Sequence, residues 1–246
     1  MLLHLLTVPI WHGSQGQQDA MQRQTLVPLV KHLRTMEEPE GGFRLMELAC
    51  GTGRFATFIR DNYPKMHISA VDLSPFYLQA ARRNMEYWWE TTVSRPFCRH
   101  PPPPLPFPFL SPSLSSRYTL NGSDGLLDQN SFVQCPAEDL QCEDGAFDAI
   151  TCVYLFHELE ASVRRRVVRE MFRSLKKGGI VVLTDSVQLG DRPELDERLD
   201  AFTDFNEPNY SDYLRTDLGK LFMEEGFTCG EKGLASRSKV LSFIKP

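Results

Sequence analysis

The segment Glu47-Leu48-Ala49-Cys50-Gly51-Thr52-Gly53 constrains this chain more than any other, because it joins two runs of opposite periodicity. Phe43–Ala49 before it is continuously apolar apart from Arg44 and Glu47 and reads as a buried strand. Arg54–Tyr63 after it reads as a helix. The unit then repeats: His67–Asp72 is a second strand, and Ser74-Pro75 supplies an N-cap and a first-turn proline for a helix through Trp88. Further along, Ser131–Cys135 and Phe147–Val153 are strands. The helix Ala161–Leu175 is expected to end at Gly178-Gly179, and Ile180–Thr184 follows as a fifth strand. Strands alternating with helices predict a parallel sheet covered on both faces. The end of the chain differs, with a helix over Leu214–Glu225 and two strand-like pieces near Thr228–Leu234 and Val240–Ile244 that close it as a hairpin. The expectation is a doubly wound α/β domain over residues 43–246. A helical cap over 1–42, with its helix from about Gln18 to Leu33, precedes it.

One break interrupts this order. Eight of the 17 prolines fall between Pro96 and Pro112, and a serine- and turn-rich stretch follows. Residues lacking backbone donors cannot join a ladder, so about 91–130 reads as a disordered insertion. It either decorates a surface or serves as a proline-rich ligand or a substrate lid. The rest of the 246 residues, 41% hydrophobic with a net charge of −5, has the composition of a soluble globular protein. That charge offers no electrostatic reason to expect nucleic acid as a partner. No apolar run approaches the ~18–20 residues of a membrane span. The six cysteines contain no Cys-x-x-Cys pair, so neither a metal site nor a disulfide framework is expected, and a reducing compartment is favoured. The apolar start Met1–Leu6 lacks a basic flank and does not read as a signal peptide.

The glycines permit a tight turn and close backbone approach to a ligand. Asp72 lies 19 residues after Gly53, at the end of the neighbouring strand, where a carboxylate can accept both hydroxyls of a ribose. Gly51-x-Gly53-x-x-Ala56 with Asp72 also satisfies the permissive nicotinamide-dinucleotide pattern. Glu47 separates the two readings: a carboxylate four residues before Gly51 suits a cationic ligand and opposes a pyrophosphate.

With these residues the chain resembles the class I S-adenosylmethionine-dependent methyltransferases of the type 11 kind, whose fold is a seven-stranded Rossmann-like sheet, mostly parallel with an antiparallel last strand. Glu47, Gly51 and Gly53 stand at positions of that family's first motif, with Ala49 in place of its first glycine, where its methyl is expected in an ordinary strand conformation. Asp72 falls on the second-motif acid, followed by Leu73. Pro136-Ala137-Glu138-Asp139 occupies the third motif, with Pro136 replacing the usual acid. Either Glu138 or Asp139 stands in for that acid, or both only solvate a loop. The resemblance implies S-adenosylmethionine as cofactor, held by Glu47, Ala49, Cys50, Gly51, Thr52, Gly53, Asp72, Leu73, Ala137, Glu138 and Tyr154, and a small-molecule methyl acceptor. Lys177 stands where the Leu-Lys-Pro-Gly-Gly signature has proline. Tyr154–Glu158, Asp185–Pro193 and Asn206–Tyr210 resemble plant and algal members, which implies a chloroplast as an alternative to the cytoplasm.

The loop after Phe147–Val153 borders the transferring methyl group in that family. His157 is therefore the candidate general base, needed only if the acceptor loses a proton. It could instead cap the following helix or pack beside the adenine. Glu158 reads as a cap for the helix at Ala161, and Tyr154 as a pocket wall. The aromatic stretch Asp191–Tyr213, with Phe202, Phe205, Tyr210 and Tyr213, either crosses the site's mouth or packs as helix. Arg164, Arg165, Arg166 and Arg169 read as a solvated helix face. A nicotinamide-dependent oxidoreductase and a non-catalytic S-adenosylmethionine-binding protein are the alternatives.

Overall fold

The computed structural model describes residues 15–89, 130–202 and 207–246. The proline-rich region 91–129, the start of the chain and Phe205 lie outside the described residues. Seven strands form one sheet: β1 (Arg44–Leu48), β2 (His67–Asp72), β3 (Asn130–Gln134), β4 (Phe147–Val153), β5 (Leu175–Ser186), β6 (Thr228–Ala235) and β7 (Ser238–Ile244). Their order is β3-β2-β1-β4-β5-β7-β6. The first five are parallel, and β7 runs antiparallel to both β5 and β6. Two strands of the hairpin thus sit at one edge in reversed sequence order, because the antiparallel return of β7 inserts it beside β5.

The strands alternate their side chains between two cores. On one face Leu45, Ile68, Ala149, Ile180, Val182 and Val240 pack with α1 (Gln15–Leu33), α2 (Arg54–Asn62) and α3 (Pro75–Trp89). Leu26, Leu29 and Leu33 of α1 belong to this core, and Thr25 shares a 2.7 Å hydrogen bond with Thr184 of β5. On the other face Met46, Leu48, Ile150, Cys152, Val181 and Leu183 pack with α4 (Ala161–Ser174), α6 (Tyr210–Arg215) and α7 (Leu218–Glu224). The short α5 (Asp196–Phe202) precedes α6. Among the described residues no helix is long and apolar enough to cross a membrane.

Two boundaries differ from expectation. The helix over 161–175 ends at Ser174, and β5 begins at Leu175 rather than after the glycines. Gly178 and Gly179 do not cap it, because Lys245 pairs with both: Gly178 N–H donates to its oxygen at 2.7 Å, and its N–H donates to Gly179 O at 3.1 Å. The helix expected over 214–225 is broken in two, since the Asp217 carboxylate accepts the Lys220 N–H at 2.9 Å and starts α7 afresh.

Candidate active site

Parallel strands end together, so the turns after β1, β2 and β4 and the end of β5 share one rim. At β1 the chain continues as a short ladder, with Cys50 N–H donating to Val71 O at 3.0 Å, and then reverses through Gly53 N–H to Cys50 O at 2.8 Å. Gly51 and Gly53 both take the left-handed conformation, at φ +52° and +68°. They serve different ends. A methyl group on Gly53 would lie 2.8 Å from the Ala81 side chain of α3, so this glycine lets α2 and α3 approach. A methyl group on Gly51 would meet nothing within 4 Å, so this glycine opens the turn toward a ligand.

Asp72 holds the turn. Its Oδ2 accepts Gly51 N–H at 2.9 Å and its Oδ1 accepts Ser74 N–H at 2.8 Å. Each oxygen retains a second lone pair for a ribose hydroxyl. Leu73 beside it is 67% exposed and offers an apolar platform, while Gln134 ties its carbonyl to β3 at 3.1 Å. Asn84, which the sequence did not single out, donates to Thr52 O at 2.8 Å and pins the turn to α3.

Two expectations for this turn need correction. Ala49 sits at φ +56°, not in a strand conformation. A residue with a Cβ is strained there by about 1–2 kcal/mol, because the chain must turn sharply out of β1. Glu47 is buried, and one oxygen accepts the Ala56 N–H while Oε2 has no hydrogen-bond partner among the described residues. Burial lifts its carboxyl to about 8, against the lowering by Ala56, and neighbouring Asp72 adds to the rise. The free protein therefore holds Glu47 largely protonated at neutrality instead of presenting a standing negative charge.

Over β4 and β5 the geometry is built on His157. It lies on a 3-10 turn, Phe156–Glu158, and is buried. Its Nδ1 donates to Asp185 Oδ1 at 2.6 Å, and Asp185 Oδ2 accepts Phe156 N–H at 2.8 Å. Burial pulls the imidazole down, but the Asp185 charge and hydrogen bond, with Glu158 and Glu207, outweigh it and lift His157 to about 9. The rings of Tyr154, Tyr210 and Tyr213 stand edge-on around it, each 6.1 Å between centres. Their hydroxyls are engaged within the protein: Tyr154 with Ser238, Tyr210 with Ser186 Oγ at 2.7 Å, and Tyr213 with Ser186 O at 2.5 Å. The buried Glu207 Oε2 has no hydrogen-bond partner among the described residues.

The structure thus brings Glu47 of β1, the turn residues Ala49, Cys50, Gly51, Thr52 and Gly53, and Asp72 and Leu73 at the end of β2 together at one place on the rim. Ala137 packs against the core, and Glu138 leans toward Arg166 of α4 at 3.8 Å. Tyr154, at φ +56°, reaches past β5 to Ser238, away from the glycine turn. Glu158 does not cap α4, whose N-cap is Glu160; its carboxylate lies 3.9 Å from His157 Nε2. Tyr210 and Tyr213 are buried beside His157, so this part of the aromatic stretch is packing. Arg164 is also buried, contrary to the solvated face expected of it, and donates five hydrogen bonds. Sequence reasoning missed Asp185 as a site residue. Its signal was an acid at the end of a core strand, the same signal that marked Asp72.

Residues 111–183 match the family model described as a methyltransferase domain. No curated protein matches the chain. Among solved structures, the PH0226 protein from Pyrococcus horikoshii is 19% identical with a TM-score of 0.59, over 95% of this chain and 93% of that one. An S-adenosylmethionine-dependent methyltransferase from Aquifex aeolicus is 13% identical with a TM-score of 0.54, over 88% and 89%. The cyclase SpnF is 17% identical with a TM-score of 0.58, over 92% and 81%. At these identities the likeness is one of fold, and the cyclase shares it too. The domain match and the antiparallel β7 favour S-adenosylmethionine, the cofactor that goes with such a domain, over a nicotinamide dinucleotide. Residues 111–183 are thus similar to a methyltransferase domain, and the chain has a fold also seen in an S-adenosylmethionine-dependent methyltransferase.

Proposed function

We propose that the chain transfers the methyl group of S-adenosylmethionine to a small molecule seated over the carboxyl ends of β4 and β5. The observation that carries this reading is the adjacency of two built sites on one rim. One is a glycine turn with an open face, held by Asp72 above the orphaned Glu47. The other is the buried His157–Asp185 pair ringed by tyrosines.

The cofactor supplies an electrophilic methyl on a sulfonium. In this reading Asp72 would accept the ribose hydroxyls, Leu73 would offer an apolar contact to the cofactor, and Gly51 would let it approach the backbone. A cationic cofactor beside Glu47 would favour its charged form, since an opposite charge lowers the carboxyl pKa. Holding donor and acceptor in line supplies most of the acceleration, up to about 7–11 kcal/mol in ideal cases. His157 takes a proton from the acceptor. It is largely protonated at neutrality, so its competent fraction grows about tenfold per pH unit until pH approaches 9. Asp185 accepts from Nδ1 and so keeps the lone pair of the neutral ring on Nε2.

A small acceptor fits better than nucleic acid. Arg165, Arg166 and Arg169 pair with Glu224, Glu138 and Glu225 and do not form an open cationic strip. The test is incubation with a methyl-labelled donor and a fractionated metabolite extract. A labelled product whose rate rises from pH 7 to 9 and is lost in His157→Ala supports the proposal. Cofactor binding with no transfer to any fraction favours a non-catalytic binding protein and overturns it.

A further inference from the structure

The 3-10 turn that carries His157 has no side-chain cap of its own, so its position must be set from outside. Arg164, four residues into α4, lies beneath it and is 1% exposed. Its Nε donates to the carbonyls of Phe156 and Leu159, each at 3.0 Å, which bracket His157 in the chain. Its Nη1 donates to Asp212 Oδ2 at 2.6 Å and Thr216 Oγ1 at 2.8 Å, and its Nη2 to Asn209 O at 3.2 Å. The guanidinium carbon is 5.9 Å from the centre of the Tyr213 ring. Together these contacts tie the His157 turn, through Arg164, to the segment bearing Tyr210 and Tyr213. Asn209 Nδ2 closes the circuit by donating to Glu158 O at 2.8 Å.

Stability alone is a poor reason for this arrangement. Arg164 is a desolvated cation whose one carboxylate partner, Asp212, is 61% exposed, and apolar residues commonly hold such a helix at least as well. What a planar fork adds is direction: one rigid group fixes several acceptors from two segments at set angles, which an ammonium cannot do. We propose that Arg164 is a positioning residue for His157, holding the imidazole in line with Asp185 and among the tyrosine rings. The proposal takes its functional meaning from His157 as proton acceptor, but the arrangement is read on the cofactor-free protein.

The test is the low-field NMR proton of His157 Nδ1–H in the free protein, assigned by its loss in Asp185→Asn. In folded Arg164→Lys the resonance should broaden or shift, and the His157 titration should move by a unit or more. S-adenosylhomocysteine affinity, set at the other half of the rim, should change less than twofold. Adding methylguanidinium to Arg164→Ala should restore the resonance. The proposal is overturned by an unchanged resonance and titration in either folded variant, by a parallel loss of cofactor affinity, or by the failure of both variants to fold. If wild-type protein never methylates anything, the function falls while this result stands on its own.

Discussion

His157 Nδ1 donates to Asp185 Oδ1 across 2.6 Å, joining the turn after β4 to the end of β5. Because this pair holds the His157 proton up to about pH 9, it ties stability to pH. The folded pKa is raised above the unfolded value near 6.5. The stabilisation is therefore fully present below pH 6.5 and is lost as pH rises through 9. Its size is on the order of 3 kcal/mol. Asp185→Asn should flatten the fall in Tm between pH 6.5 and 9.5, as followed by thermal melts. A fall as steep as in wild type would mean that other groups carry it.

Glu47 moves stability in the same direction through a different cause, the burial of an acid. Burial raises its pKa from 4.5 to about 8, so the folded state is progressively penalised between those values as pH rises. Glu47→Gln should raise the Tm of the free protein at pH 8.5 and leave it little changed at pH 5. It should also weaken S-adenosylmethionine binding more than tenfold. Wild-type binding at pH 7 should release protons, read by calorimetry in buffers of differing ionisation enthalpy. An unchanged affinity removes Glu47 from cation recognition.

The two glycines of the turn should separate stability from binding. Gly53→Ala meets Ala81 at 2.8 Å as well as an unfavourable φ, and should lower stability by about 3 kcal/mol or more. Gly51→Ala has open space for its methyl and only the backbone strain of about 1–2 kcal/mol. It should nonetheless reduce cofactor affinity more than Gly53→Ala does in protein that remains folded. Denaturant melts and calorimetry on both variants check this.

Ala49→Gly should stabilise the protein by about 1 kcal/mol, because φ +56° strains alanine and suits glycine. Cofactor affinity should hold or improve. A lower denaturation midpoint would show that the methyl group contributes packing that outweighs the strain.

Asp72→Ala removes the acceptor for two backbone N–H groups as well as the ribose ligand. Its effect should appear twice: a loss of about 2 kcal/mol in stability and a more than tenfold rise in the S-adenosylmethionine Kd. Asp72→Asn keeps one acceptor oxygen and should recover part of the stability but less of the affinity.

The architecture was legible because local signals agree with it. Strand-turn-helix periodicity, a proline at the start of α3 and glycines where the backbone turns left are properties of neighbouring residues. The glycine turn was legible for the same reason, since Glu47, Gly51, Gly53 and Asp72 lie within two successive βα units. The His157 neighbourhood was not. Its members come from β4, α4, β5, α6 and β7, and nothing between Arg164 and Asn209 in the chain announces that they touch. Arg164 reads as one of three adjacent arginines, and only its place on the buried side of α4 sets it apart from Arg165 and Arg166.

The amino-acid order by itself determined the layered α/β fold and the glycine turn after β1, because hydrophobic periodicity and backbone preference act over a few residues. Tertiary structure alone decided which charges are buried and with whom. Burial raised the pKa of Glu47, Asp185 raised that of His157, and Arg164, read as a solvent-facing cation, lies buried beneath the His157 turn. Desolvation and pairing across tens of residues exist only once the chain has closed.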